Sequence, residues 1–134
     1  MRGYLVVPIF LFTISTHGVC AEESIFAVSD GAAKETFFVR LTDPVRIAEA
    51  RAIVSGKETT RVAVAGVVVT EPAAYNQPWH FHLAPESISF FEQAIEVCDA
   101  TTSYVEAHLD EVGGAFLPGN KWCPWSSRLI RELK

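Results

Sequence analysis

Residues 35–69 read ETFFVRLTDPVRIAEARAIVSGKETTRVAVAGVVV, and their hydrophobic period changes twice. From 35 to 41 β-formers dominate and the pattern alternates. This predicts a strand with Phe37, Val39 and Leu41 on one face and Phe38 and Arg40 on the other. TDPVRIAEARAIVSG (42–56) then carries helix punctuation, with Thr42 or Asp43 to cap, Pro44 in the first turn and Gly56 as the stop. Ile47, Ala50 and Val54 form its apolar stripe, expected to lie on a sheet with Arg46, Glu49 and Arg51 towards water. RVAVAGVVV (61–69) is an unbroken run of β-branched and small residues, the composition of a strand buried on both faces, and is expected at the centre of the sheet.

Downstream the elements shorten. PWHFHL (78–83) follows turn signals at Pro72 and Asn76, and strand periodicity places Trp79, Phe81 and Leu83 on one face and His80 and His82 on the other. EQAIEVC (92–98) reads as a strand pairing Ile95 with Val97 opposite Glu96 and Cys98, although Phe91, Ile95 and Cys98 also fit a helical stripe. TSYVEAHLDEVGG (102–114) reads as a second helix with a Ser103/Glu106 capping box, Val105, Leu109 and Val112 buried, and Gly113 as its stop. FLPGNKWCPW (116–125) is expected to be an ordered loop, with Trp122 or Trp125 plugging the body or forming a stacking platform.

The first 21 residues, MRGYLVVPIFLFTISTHGVCA, have the layout of a signal peptide: one early cation, an apolar run from Leu5 to Ile14, and a Val-Cys-Ala ending before cleavage after Ala21. A transmembrane helix needs about 20 apolar residues, so this run is short for a membrane span, and a secreted or periplasmic address is expected. Of 11 basic residues, Arg2 leaves with the leader, so 10 face 16 acidic ones and the mature net charge is −6. A nucleic-acid binder shows a basic patch or stripe in its sequence, and nucleic acid is not an expected partner. Two cysteines, Cys98 and Cys123, remain after cleavage. In an oxidising compartment such a pair tends to close, the other reading being two buried thiols.

The pieces WHFHL, IEVCDAT, GGAFLPG and WCPWSSRL, together with FFVRLTDPVRIAEARAIVSG from Phe37 onward, resemble the N-terminal domain of the cAMP-inducible, calmodulin-binding prespore protein family, which also occurs as a stand-alone bacterial domain. The resemblance covers nearly all of residues 22–134 and implies calmodulin as a partner. A calmodulin target needs a basic amphipathic helix, and the one candidate is SSRLIRELK (126–134). It is short and terminal, which favours a helix or strand docked on the domain with solvated charges.

His80 and His82 on one strand present two imidazoles to one side, with Glu96, Cys98 and Arg40 expected nearby. Zinc or copper would need a third ligand from Glu96, His108 or Cys98, and a metallohydrolase would add Glu96 as base. Neither Ser126 and Ser127 nor the glycines at 113–114 form a nucleophile elbow or phosphate loop, and no catalytic residue is assigned. The expectation is a single small α+β domain over 22–134, with an antiparallel or mixed sheet of four to five strands and two helices mainly on one face. Its expected role is a secreted, non-catalytic module binding an unknown protein or small ligand. Its binding residues are taken from Tyr75, Trp79, His80, His82, Glu96, Trp122 and Trp125. The alternatives are a metal-binding protein or metallohydrolase at His80 and His82, and an inhibitor-like module acting on another exported protein.

Overall fold

The computed structural model describes residues 3, 8, 13–15, 18, 22–31, 33–94 and 97–133. Most of the expected leader, together with Ile95, Glu96 and Lys134, lies outside the described residues. No described helix is long and apolar enough to cross a membrane.

Residues 22–34, given no element above, hold the first strand, β1 (Ser24–Asp30). Its alternation was there to be read, since Phe26 and Val28 are fully buried on one side. β1 pairs antiparallel with β2 (Glu35–Leu41), setting Phe26 opposite Val39 and Val28 opposite Phe37. The chain then enters α1 (Pro44–Val54), where Asp43 Oδ1 accepts the Val45 N–H at 2.9 Å and Gly56, at φ 81°, takes the left-handed turn beyond the end.

The buried residues of α1 are Ile47, Ala50 and Ile53, and Val54, expected in that stripe, is 37% exposed. The buried arc is centred on Ala50, with Ile47 and Ile53 about 60° to either side, and Val54 closes the helix as the chain turns away.

β3 (Ala63–Val69) is central, as expected, in the second sheet. It pairs in succession with β5 (Ser89–Phe91), β8 (Lys121–Trp122) and β4 (His82–Leu83). Between β4 and β5 the chain makes a single 3-10 turn at Pro85–Ser87, and there Ser87 Oγ accepts the Val67 N–H at 2.8 Å in place of a strand partner. Gly66 permits this approach. A Cβ there would sit 3.1 Å from Leu83 Cδ1 and 3.3 Å from Ser87 Oγ.

The segment 92–98 is neither strand nor helix among its described residues, because the strand comes earlier, at β5. Val97, expected on a buried face, is 85% exposed. The cause is the next residue: Cys98 is bonded to Cys123 with their Cα atoms 5.1 Å apart, and the Cys98 carbonyl accepts the Cys123 N–H at 2.8 Å.

α2 spans only Thr102–Ala107, with a 3-10 turn at Leu109–Glu111 after it. Its cap is Thr101, whose Oγ1 accepts the Tyr104 N–H, rather than Ser103. Other elements supply the remaining acceptors of the first turn: Asp30 Oδ2 takes the Thr102 N–H and Glu35 Oε2 the Ser103 N–H, both at 2.9 Å. Beyond it, β6 (Val112–Gly113) pairs in parallel with β7 (Phe116–Pro118).

The tail forms β9 (Ser127–Leu133) on the other side of β1, so the basic amphipathic helix required of a calmodulin target is replaced by a strand. The class is α+β, with strand order β2-β1-β9 in one sheet and β4-β3-β5 plus β8 in the other. The core lies between the sheets and α1. Trp122 is fully buried there, its ring 4.9 Å from Phe37 and 5.5 Å from Phe81, and its Nε1–H donates to the Ala100 carbonyl at 3.0 Å.

Asp30, 1% exposed, is the most connected buried polar group: Oδ2 accepts from Thr102 N and Oγ1, and Oδ1 from Ser126 Oγ at 3.2 Å. Asp30→Ala strands the buried Thr102 donors and is expected to cost about 3 kcal/mol in urea unfolding, against less than about 0.5 kcal/mol for the exposed Asp110→Ala. A cost near that of Asp110→Ala would remove Asp30 as an anchor. The disulfide closes a loop with a sequence separation of 25. Cys98→Ala/Cys123→Ala is expected to cost about 3.5 kcal/mol, and an unfolding midpoint indifferent to reductant would contradict that.

Candidate functional site

The alternation expected of residues 79–83 holds, with Phe81 and Leu83 buried and His80 and His82 turned away from them, although only the last two residues of the run are in a strand. The two imidazoles go to different elements. His80 pairs through Nδ1 with the Glu106 carboxylate of α2, which also accepts the His80 backbone N–H at 3.0 Å. His82 Nδ1–H donates to the Glu71 carbonyl at 2.7 Å. A carbonyl can only accept, so the proton of His82 is on Nδ1, and Nε2 carries the lone pair when the ring is neutral.

This is also how metal-bound histidines are oriented, but a site needs more than two rings. Among the described residues no group of three or more His, Cys, Asp or Glu side chains could hold a metal. Of the expected third ligands, Cys98 is in the disulfide and His108 donates its Nδ1–H to the Tyr104 carbonyl at 2.8 Å, while Glu96 lies outside the described residues.

The aromatic candidates divide by burial. Trp122 is a core residue and offers no surface to a ligand. Trp79 is half-buried against the core, and its Nε1–H donates to the Thr36 carbonyl at 2.9 Å. Tyr75 lies under the Arg40 guanidinium, 5.3 Å from the ring centroid, with His82 edge-on at 6.2 Å. Burial pushes the Tyr75 phenol above its ordinary pKa, and the Arg40 charge opposes the shift.

Trp125 alone of the expected aromatic contacts is open, at 51% exposure. It belongs to a rim that no motif in the sequence marks. Its backbone N–H donates to Asp99 Oδ1 at 2.9 Å, and Asp99 also lines a shallow cleft with Thr101, Tyr104 and Phe116. Tyr104, 49% exposed, stacks on His108 at 4.0 Å between centroids, and Phe116 meets Tyr104 edge-on at 5.3 Å. Val97, on the other side of Cys98, adds its exposed side chain.

Two anchors brace this rim. The disulfide fixes the chain beside Val97 and Trp125, and Asp30 holds Thr102 and Ser126, close neighbours of Tyr104 and Trp125. The i, i+4 spacing of Tyr104 and His108 was the available sequence signal for their stack. Nothing local announces that Val97 faces outward.

The rim can bury apolar and aromatic area against a partner, and the Asp99 and Thr101 side chains stand at its polar edge.

No curated protein and no solved structure matches the chain. The family model for the N-terminal domain of the calmodulin-binding prespore protein matches residues 22–134, spanning both sheets and both helices. That is the family whose motifs the sequence resembles, and this chain belongs to it.

Proposed function

We propose that the protein is exported and works as a non-catalytic binding module, with the rim of Val97, Tyr104, Phe116 and Trp125 as its contact surface. The observation that carries this reading is the display of large apolar side chains on braced loops: Val97, Tyr104 and Trp125 are 85%, 49% and 51% exposed. Side chains left open at this cost in apolar exposure, on backbone that is already ordered, bind with little further loss of conformational entropy. Tryptophan and tyrosine are also the residues that most often dominate an interface.

Export is supported by the leader-like first 21 residues, by the disulfide, and by where the ordered domain starts. Glu22, the first residue after the expected cleavage site, is already part of it: its carboxylate accepts from Arg51 Nη2 at 2.6 Å, beside the bond from the same arginine to Glu132. Intact-mass and N-terminal analysis of protein recovered outside the cell is expected to find Glu22 first. Recovery only inside the cell with Met1 retained would defeat the export reading.

Binding is tested by screening the pure protein against arrayed glycans and secreted proteins, followed by titration. Trp125→Ala is expected to weaken a ligand so found about 30-fold, as removal of an interface anchor worth about 2 kcal/mol does, with an unchanged melting temperature. A ligand indifferent to Trp125→Ala and Tyr104→Ala but lost in His80→Ala/His82→Ala would move the site to the histidines. Near-stoichiometric zinc or copper removed by the same double variant would do so through the metal reading.

A further inference from the structure

The three-stranded sheet has a second face, directed away from Phe26 and Val28. There Arg40 stands opposite Ile25, Arg131 opposite Ala27 and Arg128 opposite Ser29, and residues directly opposite in a ladder share a face. None of these three arginines has a carboxylate within ion-pair distance among the described residues, unlike Arg46 and Arg51 on α1. No strand position of that face carries Asp or Glu, and the nearest carboxylate noted is Glu23, at a corner cleft with Ile25, Arg40 and Leu133. In a chain with 16 acidic residues against 11 basic ones, this is a segregation of charge. Apolar groups sit among the arginines, with Ile130 48% exposed where the register of β9 shifts.

We propose that this face docks the protein peripherally on an anionic lipid surface. Guanidinium groups pair with phosphate through two parallel hydrogen bonds, and the exposed Ile130 would enter the headgroup layer between Arg128 and Arg131. An extended acidic peptide fits less well, because strand addition is obstructed on both sides. On β2, Asn76 Oδ1 accepts the Phe38 N–H at 2.7 Å and Trp79 occupies the Thr36 carbonyl. On the other side β9 lies against α1 and β3, and Ser127 Oγ accepts the Val64 N–H at 2.9 Å. The register shift between Arg128 and Arg131 also breaks any regular spacing that a repeating ligand would match, whereas lipid headgroups move to meet each charge. Repulsion from the acidic remainder is screened over about 10 Å at 0.1 M salt, so the arginines nearest the surface dominate once docked.

Cosedimentation with vesicles of phosphatidylcholine, alone or mixed with phosphatidylglycerol, tests this. The expected result is sedimentation with the mixed vesicles only, lost in high salt. An arginine near such a surface is worth about fivefold in partition, so Arg128→Ala/Arg131→Ala is expected to reduce binding about 25-fold at an unchanged melting temperature. Arg128→Gln/Arg131→Gln, which keeps the polar stems, serves if the first variant melts early. Trp125→Ala is expected to bind vesicles like the wild type, which separates failure here from failure of the rim. Equal partition into both vesicle types, as an apolar leader would give, overturns the proposal, as does anionic binding that both arginine variants retain. So does an absence of vesicle binding, and a soluble Glu-Leu repeat peptide that binds in an arginine-dependent way would then assign the face to an acidic polypeptide.

Discussion

Asp30 ends the central strand of one sheet with a side chain that water hardly reaches. Removing such a group from water is costly unless its oxygens find donors, and that requirement ties distant parts of the chain together. The donors come from Thr102, 72 residues away, and Ser126, 96 residues away. The Gly31 N–H adds a bond to the Ser126 carbonyl at 3.1 Å. One buried carboxyl group thus sets where α2 begins and where the chain turns into β9. Tyr104 and Trp125 stand beside those two points, so the positions of the open aromatic side chains follow from a polar contact inside the domain.

The apolar core works by a different rule. Trp122 packs against Phe37 from one sheet and Phe81 from the other, so neither sheet can shift without opening a cavity of aromatic size. A polar link crosses the same space, since Ser127 Oγ accepts the Val64 N–H and donates to the Pro124 carbonyl at 2.6 Å. Ser127 is buried, and its hydroxyl joins the start of β9 to the central strand β3. Apolar volume sets the distance between the sheets, and these few buried hydroxyl and carboxyl groups set their register.

The parts legible in the sequence were those where period and punctuation agree. β2, α1 and β3 follow from alternation, from Asp43, Pro44 and Gly56, and from a β-branched run. The Cys98–Cys123 pair follows from compartment and count. The errors share a cause, which is a partner distant in sequence. Ser103 and Glu106 look like a capping box, but Glu35 takes the Ser103 N–H and His80 takes Glu106. Residues 92–98 have an apolar pattern, yet the disulfide holds their end and leaves Val97 outside. The histidine pair was visible as a motif. That its members turn to Glu106 and to the Glu71 carbonyl depends on where α2 and the 71–73 loop pass, which no local pattern encodes.

Those two contacts also bear on why the histidines are there. Trp79, Phe81 and Leu83 already hold this segment on its apolar side, so burial does not require imidazoles on the other side. What the segment lacks is tethering: only two of its residues join a ladder, and the preceding stretch is a 3-10 turn followed by Pro78. His80 bonds α2 through both its backbone and its ring, and His82 closes the chain back onto Glu71. Each ring substitutes for hydrogen bonds that a longer strand would have made. The positions that sequence alone marked for chemistry therefore serve here as fasteners of a short, proline-interrupted strand, while the open apolar and cationic surfaces lie on other parts of the domain.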